Sequence, residues 1–185
     1  MTTAENTAVT TAGTGERADI LACLGKARHF LLHPSQGLTD EQANTRSTVS
    51  ALTVGGLIKH VADVEKGWAA FAATGRHGAE DAWADSPEEF TPELVASWEA
   101  NFRLAEGETL DGVRAAYAEV AAATDELVRT IDLDTSYELP EAPWQPAGEF
   151  WTVRRVFLHL IAEIAQHSGH ADIIRETIDG QKSMG

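Results

Sequence analysis

One stretch near the C-terminus, TVRRVFLHLIAEIAQHSGHADIIRETIDG from Thr152 to Gly180, constrains the fold more than any other part of the chain. Val156, Leu160, Ile164, Ala171, Ile174 and Ile178 recur at helical spacing, and Thr152 and Gly180 supply the start and stop signals of one long helix. A helix turns about 100° per residue, so His159, Glu163, His167 and His170 share a sector of roughly 80°. That sector borders the apolar stripe, which turns four titratable groups toward a neighbour instead of toward water. Glu163 and His167, four residues apart, are placed to touch one ion or one water together.

Such a helix needs partners, and the chain supplies three more. Ile20, Leu21, Leu24, Ala27 and Leu31 keep helical spacing until Pro34 and Gly37 end the run. A helix starting near Thr53 carries Leu57, Val61, Val64, Trp68 and Phe71 inward, with His60 in the same seam. Gly55 and Gly56 weaken that helix relative to alanine, and the compensation expected is close backbone approach by a neighbour. A helix capped by Thr109 turns Leu110, Val113, Tyr117, Val120 and Leu127 inward. Between the second and third helices the region 74–93 reads as a long surface loop whose Trp83 could fold over a pocket mouth; a shorter helix then has Leu94, Trp98 and Phe102 on one side. Residues 132–150, with three prolines, read as a linker across the bundle end, and a short helical turn is expected at Asp40 to Ala43. No run alternates strongly enough to predict a sheet. The expected fold is all-α, a four-helix bundle with a long crossover connection.

At 185 residues the chain reads as a flexible tail, 1–14, and one domain, 15–185, large enough to form a core without a structural metal. Cys23 is the single cysteine, so no internal disulfide is available; it is expected to pack in the core. The N-terminus has neither a basic segment nor an apolar run, and the expected location is the cytoplasm. A formal charge of -15 argues against nucleic acid as a partner, and no apolar run is long enough for a membrane span.

If the second and fourth helices are neighbours, His60, Glu163 and His167 make a three-ligand set with open positions, the pattern of a catalytic metal. His159 and His170 then stand beside the ligands, to orient them or move protons. The same residues also read as hydrogen-bonded boundary histidines with an incidental Glu-x-x-x-His pair. Arg154, Arg155 and Arg175 fit solvated helix ends as well as anion binding. His33 and His77 are expected to be exposed. No nucleophile elbow, phosphate loop, dinucleotide fingerprint or paired-cysteine zinc site occurs.

The segments GLIKHVADVEKGW and RRVFLHLIAEIAQHSGHADIIRETIDG together resemble the paired signatures of the DinB-like metalloprotein superfamily. The resemblance is in particular to its actinobacterial branch, with mycothiol-dependent S-transferases and maleylpyruvate isomerase. The resemblance implies one divalent ion, zinc first, with nickel or another ion as alternatives, held by His60, Glu163 and His167. It also implies mycothiol as co-substrate, and Arg175 matches the branch pattern; the combined reading places a small electrophile near Trp68, with Arg154 and Arg175 as substrate-binding groups. Histidine is common in relatives where this chain has Glu163, and arginine where it has Gln166. The implied activity is metal-assisted thiol transfer. A hydrolase using metal-activated water and a non-catalytic stress-response bundle remain alternatives, and a homodimer is left open.

Overall fold

The computed structural model describes residues 15–77, 91–140 and 148–183. The bundle is built from α1 (Glu16–Leu32), α3 (Val54–Thr74), α5 (Leu110–Thr130) and α6 (Val153–Asp179), supplemented by the short helices α2 (Asp40–Ala43) and α4 (Pro92–Ala100). Threonine hydroxyls accept the third amide of α3, α5 and α6, from Thr53 to Gly56, Thr109 to Gly112 and Thr152 to Arg155. Each satisfies an amide that lacks an intrahelical partner. Gly75 and Gly180 end α3 and α6 in the left-handed region, at φ 74° and 81°.

Around the bundle α1 packs on α6, α6 on α3, and α3 on α5. Cross-links set the directions. Ser168 bonds the Ala27 carbonyl, and Arg175 the carbonyls of Pro34 and Gln36, so α1 and α6 run parallel. Lys59 pairs with Glu108 at 2.8 Å and Tyr117 with Glu65, so α3 and α5 also run parallel, opposed to the first pair. Parallel neighbours require a connection between the end of α3 and the start of α5 that returns along the bundle. The core is Leu24, Leu31, Leu57, Ile58, Val61, Phe71, Tyr117, Phe157, Leu160 and Ile164 with their neighbours.

Two sequence expectations are corrected here. A two-stranded antiparallel hairpin, β1 (Ser136–Glu138) with β2 (Phe150–Thr152), pairs Tyr137 opposite Trp151 within the segment expected to be an irregular linker. Three-residue strands carry too little alternation to be read from sequence. Cys23 is exposed, beside Leu158 and Ile161 at the edge of the α1–α6 groove, not packed in the core. Trp83 lies outside the described residues.

The glycine pair of α3 does admit a neighbour. A Cβ on Gly56 would stand 1.8 Å from the Phe102 carbonyl oxygen, and one on Gly55 would meet the Leu104 side chain at 2.9 Å. Thr53 donates to the same Phe102 carbonyl at 2.8 Å, while Asn44 holds Leu104 by both its amide and its carbonyl. The end of the crossover is thereby locked onto the start of α3. Gly56→Ala should lower stability by about 1–3 kcal/mol despite alanine's better helix propensity. Gly25→Ala, where nothing lies within 4 Å of the new methyl, should raise stability by about 0.5–1 kcal/mol. Chemical denaturation of the two variants checks the contrast, and an unchanged Gly56→Ala protein would contradict the packing described.

Candidate metal centre

The antiparallel crossing of α3 and α6 brings two sets of side chains together. At one level the rings of His60 and His167 meet edge to face with centroids 4.9 Å apart. Eight residues further along each helix, in opposite directions, Trp68 meets His159 at 4.8 Å. Eight residues of helix span about 12 Å, so these are the two ends of one seam. Glu163 lies between them on α6, its Oε2 3.7 Å from His167 Nε2 and its Oε1 3.8 Å from His159 Nε2. The His170 ring is 5.6 Å from that of His167.

Burial sets the electrostatics. His60 is pushed down to about 4, first by desolvation and then by the facing His167. His167 and His159 are also lowered by desolvation, with the Glu163 charge opposing the shift. Neutral imidazoles keep a lone pair for a cation or a proton. The Nδ1 atoms of His167 and His170 are buried and have no hydrogen-bond partner among the described residues.

A divalent ion is tested against these residues by donor kind and adjacency. Two neutral imidazoles and a carboxylate are a suitable set for zinc. Two donors at about 2.1 Å from one ion stand about 3.4 Å apart at a tetrahedral angle, close to the His167–Glu163 separation. Among the described residues, however, no three His, Cys, Asp or Glu side chains are gathered closely enough to hold an ion as they stand. The residues suit a divalent ion in donor kind, and His167 and Glu163 stand near ligand spacing, while His60 meets the set through the His167 ring.

The two arginines expected to position substrate are engaged elsewhere. Arg154 bonds Glu16 and Asp134 at the start of α1 and α6. Arg175 is buried, and its donors are committed to the carbonyls of Pro34 and Gln36, to Asp179 and to Gln181. Neither is brought to the histidines; both tie α6 to its surroundings. Trp68 does border the seam, but stacked on Trp151 at 5.1 Å and 12°, with the Arg155 guanidinium 4.4 Å from the Trp151 centroid. His77, expected to be exposed, packs edge-on to Trp68 at 4.8 Å. Sequence reasoning missed Trp151 because its strand was not recognised. The available signal was the aromatic pair Phe150–Trp151 directly before the Thr152 cap.

The His60 shift has a sign that can be checked on metal-free protein. A histidine whose folded value lies below its ordinary 6.5 makes the native state bind fewer protons than the unfolded chain. Its contribution to stability is present above about pH 6.5 and is lost as pH falls toward 4. The His60 imidazole should titrate near 4 by NMR, and the thermal midpoint should fall across that window. A His60 midpoint at its ordinary value would show that the seam admits water and charge freely.

Comparisons with known proteins agree with this architecture. A crystal structure titled as the conserved protein of a locus from Enterococcus faecalis superposes with a TM-score of 0.63 at 20% identity. The match covers 91% of this chain and 100% of that one, and it speaks for the fold alone. No curated protein matches significantly. No helix among the described residues is long and apolar enough to cross a membrane. The family model described as mycothiol-S-transferase matches residues 19–180, from the first turns of α1 to the glycine that ends α6. The helices that carry the seam of histidines lie wholly inside that match, and the chain belongs to the mycothiol-S-transferase family.

Proposed function

We propose that this protein conjugates mycothiol through its sulfur to a small electrophile, with a divalent ion, zinc first, held by His60, Glu163 and His167. The observation that carries the reading is the meeting of His60 and His167 across α3 and α6, with Glu163 Oε2 3.7 Å from His167 Nε2. The family adds mycothiol as the thiol. An ion bound there would lower the pKa of a coordinated thiol and so supply thiolate near neutral pH.

The chain's own groups do the rest. His60 and His167, kept neutral by burial, present lone pairs, and Glu163 supplies the compensating charge. His159 is braced edge-on against Trp68 and Trp151, at 4.8 and 5.1 Å, so its Nε2 is held toward Glu163. Its neutral form can accept the thiol proton at Nε2 and pass it to water. In the transfer, a bond forms between sulfur and the electrophilic carbon, and the leaving group departs with its electron pair. Detoxification in the cytoplasm, where low-molecular-weight thiols remain reduced, is the setting that suits this chemistry.

Cobalt-substituted protein should develop a sulfur-to-metal charge-transfer band when mycothiol is added. His167→Ala should lose that band and lower conjugation of chlorodinitrobenzene about a hundredfold or more. The reading fails if mycothiol, bacillithiol and glutathione all leave the cobalt spectrum unchanged. Metal-dependent ester or amide hydrolysis by the same preparation would then put water in the place assigned to the thiol.

A further inference from the structure

The outer face of α6, about a third of a turn round from the seam of histidines, carries no charge for four turns. Leu158, Ala162, Ala165, Gln166, Gly169 and Ile173 fall within a sector of roughly 100°. All six are exposed, Leu158 by 55% and Ile173 by 60%. A Cβ placed on Gly169 would meet nothing within 4 Å. On a chain with a formal charge of -15, solvation alone does not select an uncharged, largely apolar stripe of this length.

The stripe has the same pattern read from either end. About a midpoint between Ala165 and Gln166, Ala162 corresponds to Gly169 and Leu158 to Ile173, so small residues hold the centre and branched apolar ones the ends. One step further out, Arg155 corresponds to Glu176. Each of these two is about half exposed and keeps an ion pair of its own, with Glu149 at 2.9 Å and with Lys182 at 3.3 Å. Two such helices laid antiparallel about a two-fold axis set small residues together at the crossing. They also set Leu158 at the level of Ile173 on both sides, and Arg155 at the level of Glu176 at both rims. Hollows along the groove between α1 and α6 leave room for the partner's side chains. One, of about 370 Å³, is lined by Leu158, Ile161 and Cys23, and another, of about 260 Å³, by Phe30, Ala165 and Gly169.

We infer that this face of α6 binds a second copy of the chain, giving a two-fold symmetric dimer in which the two α6 helices pack antiparallel. From Arg155 to Glu176 the face is about 32 Å long and, with the adjoining side of α1, about 20 Å wide, so the pair buries about 1,300 Å², at the lower end of the range for stable interfaces. A partner of another sequence has no use for the match between the two ends of the stripe, whereas an isologous contact uses it twice. The seam of histidines is turned toward α3, so the inference is independent of the transfer reading.

Sedimentation equilibrium of the full chain should show a dimer that dissociates in the micromolar range. Ala165→Glu places two carboxylates beside the axis and should weaken the dimer about tenfold or more, while Ala165→Ser should leave it intact. In a Cys23→Ser background, Gln166→Cys should form a disulfide between copies on oxidation with copper phenanthroline, and Glu119→Cys, on α5, should not. A wild type that stays monomeric overturns the inference and leaves the stripe to a different partner. So does a dimer that a folded Ala165→Glu variant leaves intact, or one in which Gln166→Cys cross-links no better than Glu119→Cys, because the contact then lies on another face. Should Ala165→Glu lose its helical circular dichroism, the comparison of the two cysteine variants decides alone.

Discussion

The arrangement of the site depends on one buried ion pair. Glu65 of α3 is fully buried, and both its oxygens are engaged: Oε1 by Arg28 of α1 at 2.5 Å, and Oε2 by Arg28 Nε and by the Tyr117 hydroxyl of α5. Arg28 also reaches Asp125 on α5 at 2.7 Å. A carboxylate taken out of water costs several kcal/mol unless its partners replace the lost hydration, so α3 cannot turn without breaking all of these bonds. Burial, and after it the charge of Glu65, raise the Tyr117 hydroxyl well above its ordinary value and hold its proton in place. Around α3, His60 and Trp68 lie about 80° apart and on one side of Glu65. Fixing Glu65 toward α1 and α5 thus turns the imidazole and the indole toward α6.

A second constraint meets the first at the start of α3. Thr53 caps the helix and at the same time holds the Phe102 carbonyl, so one hydroxyl serves both the local and the tertiary structure. The absence of side chains on Gly55 and Gly56 lets the crossover lie directly on the helix backbone. Phe102 is thereby pressed against His60, removing water from one side of the ring. That is the physical origin of the depressed His60 value: burial acts first, and the opposing imidazole adds to it. The helix-propensity cost of two adjacent glycines is thus tied to the electrostatics of the site.

What the sequence disclosed follows from the range over which each feature is determined. The helices, their threonine caps and the sector shared by His159, Glu163, His167 and His170 depend on spacing within one segment, and spacing is visible in a sequence. The pairing of His60 with His167 was expected only on condition that two helices met, because the contact depends on a tertiary crossing. Arg175 and Cys23 illustrate what spacing cannot supply. Arg175 lies at an end of the polar stretch, yet its partners are carbonyls some 140 residues away, and no local pattern encodes them. Cys23 sits beside apolar positions on α1, but the packing of α1 against α6 leaves it outside. Trp151 escaped notice for a related reason: its stacking on Trp68 depends on a hairpin too short for its period to register.

The arginines absent from the seam matter as much as the histidines present. Glu163 is half-buried, and the groups within ion-pair distance of it among the described residues are His159 and His167, both held toward their neutral forms by burial. Arg154 and Arg175, which could have neutralised it, are fixed at opposite ends of α6 by Glu16 and Asp134 and by Asp179. With imidazoles held toward neutrality on either side, Glu163 has no arginine or lysine at ion-pair distance among the described residues, while the Arg155 guanidinium lies over Trp151 at the far end of the seam, paired with Glu149. Protonating His60 would balance the Glu163 charge, but at the cost of solvating an imidazolium between Phe102 and a second imidazole. That cost keeps the imidazole lone pairs unprotonated, which is the condition that the proposed divalent ion would need.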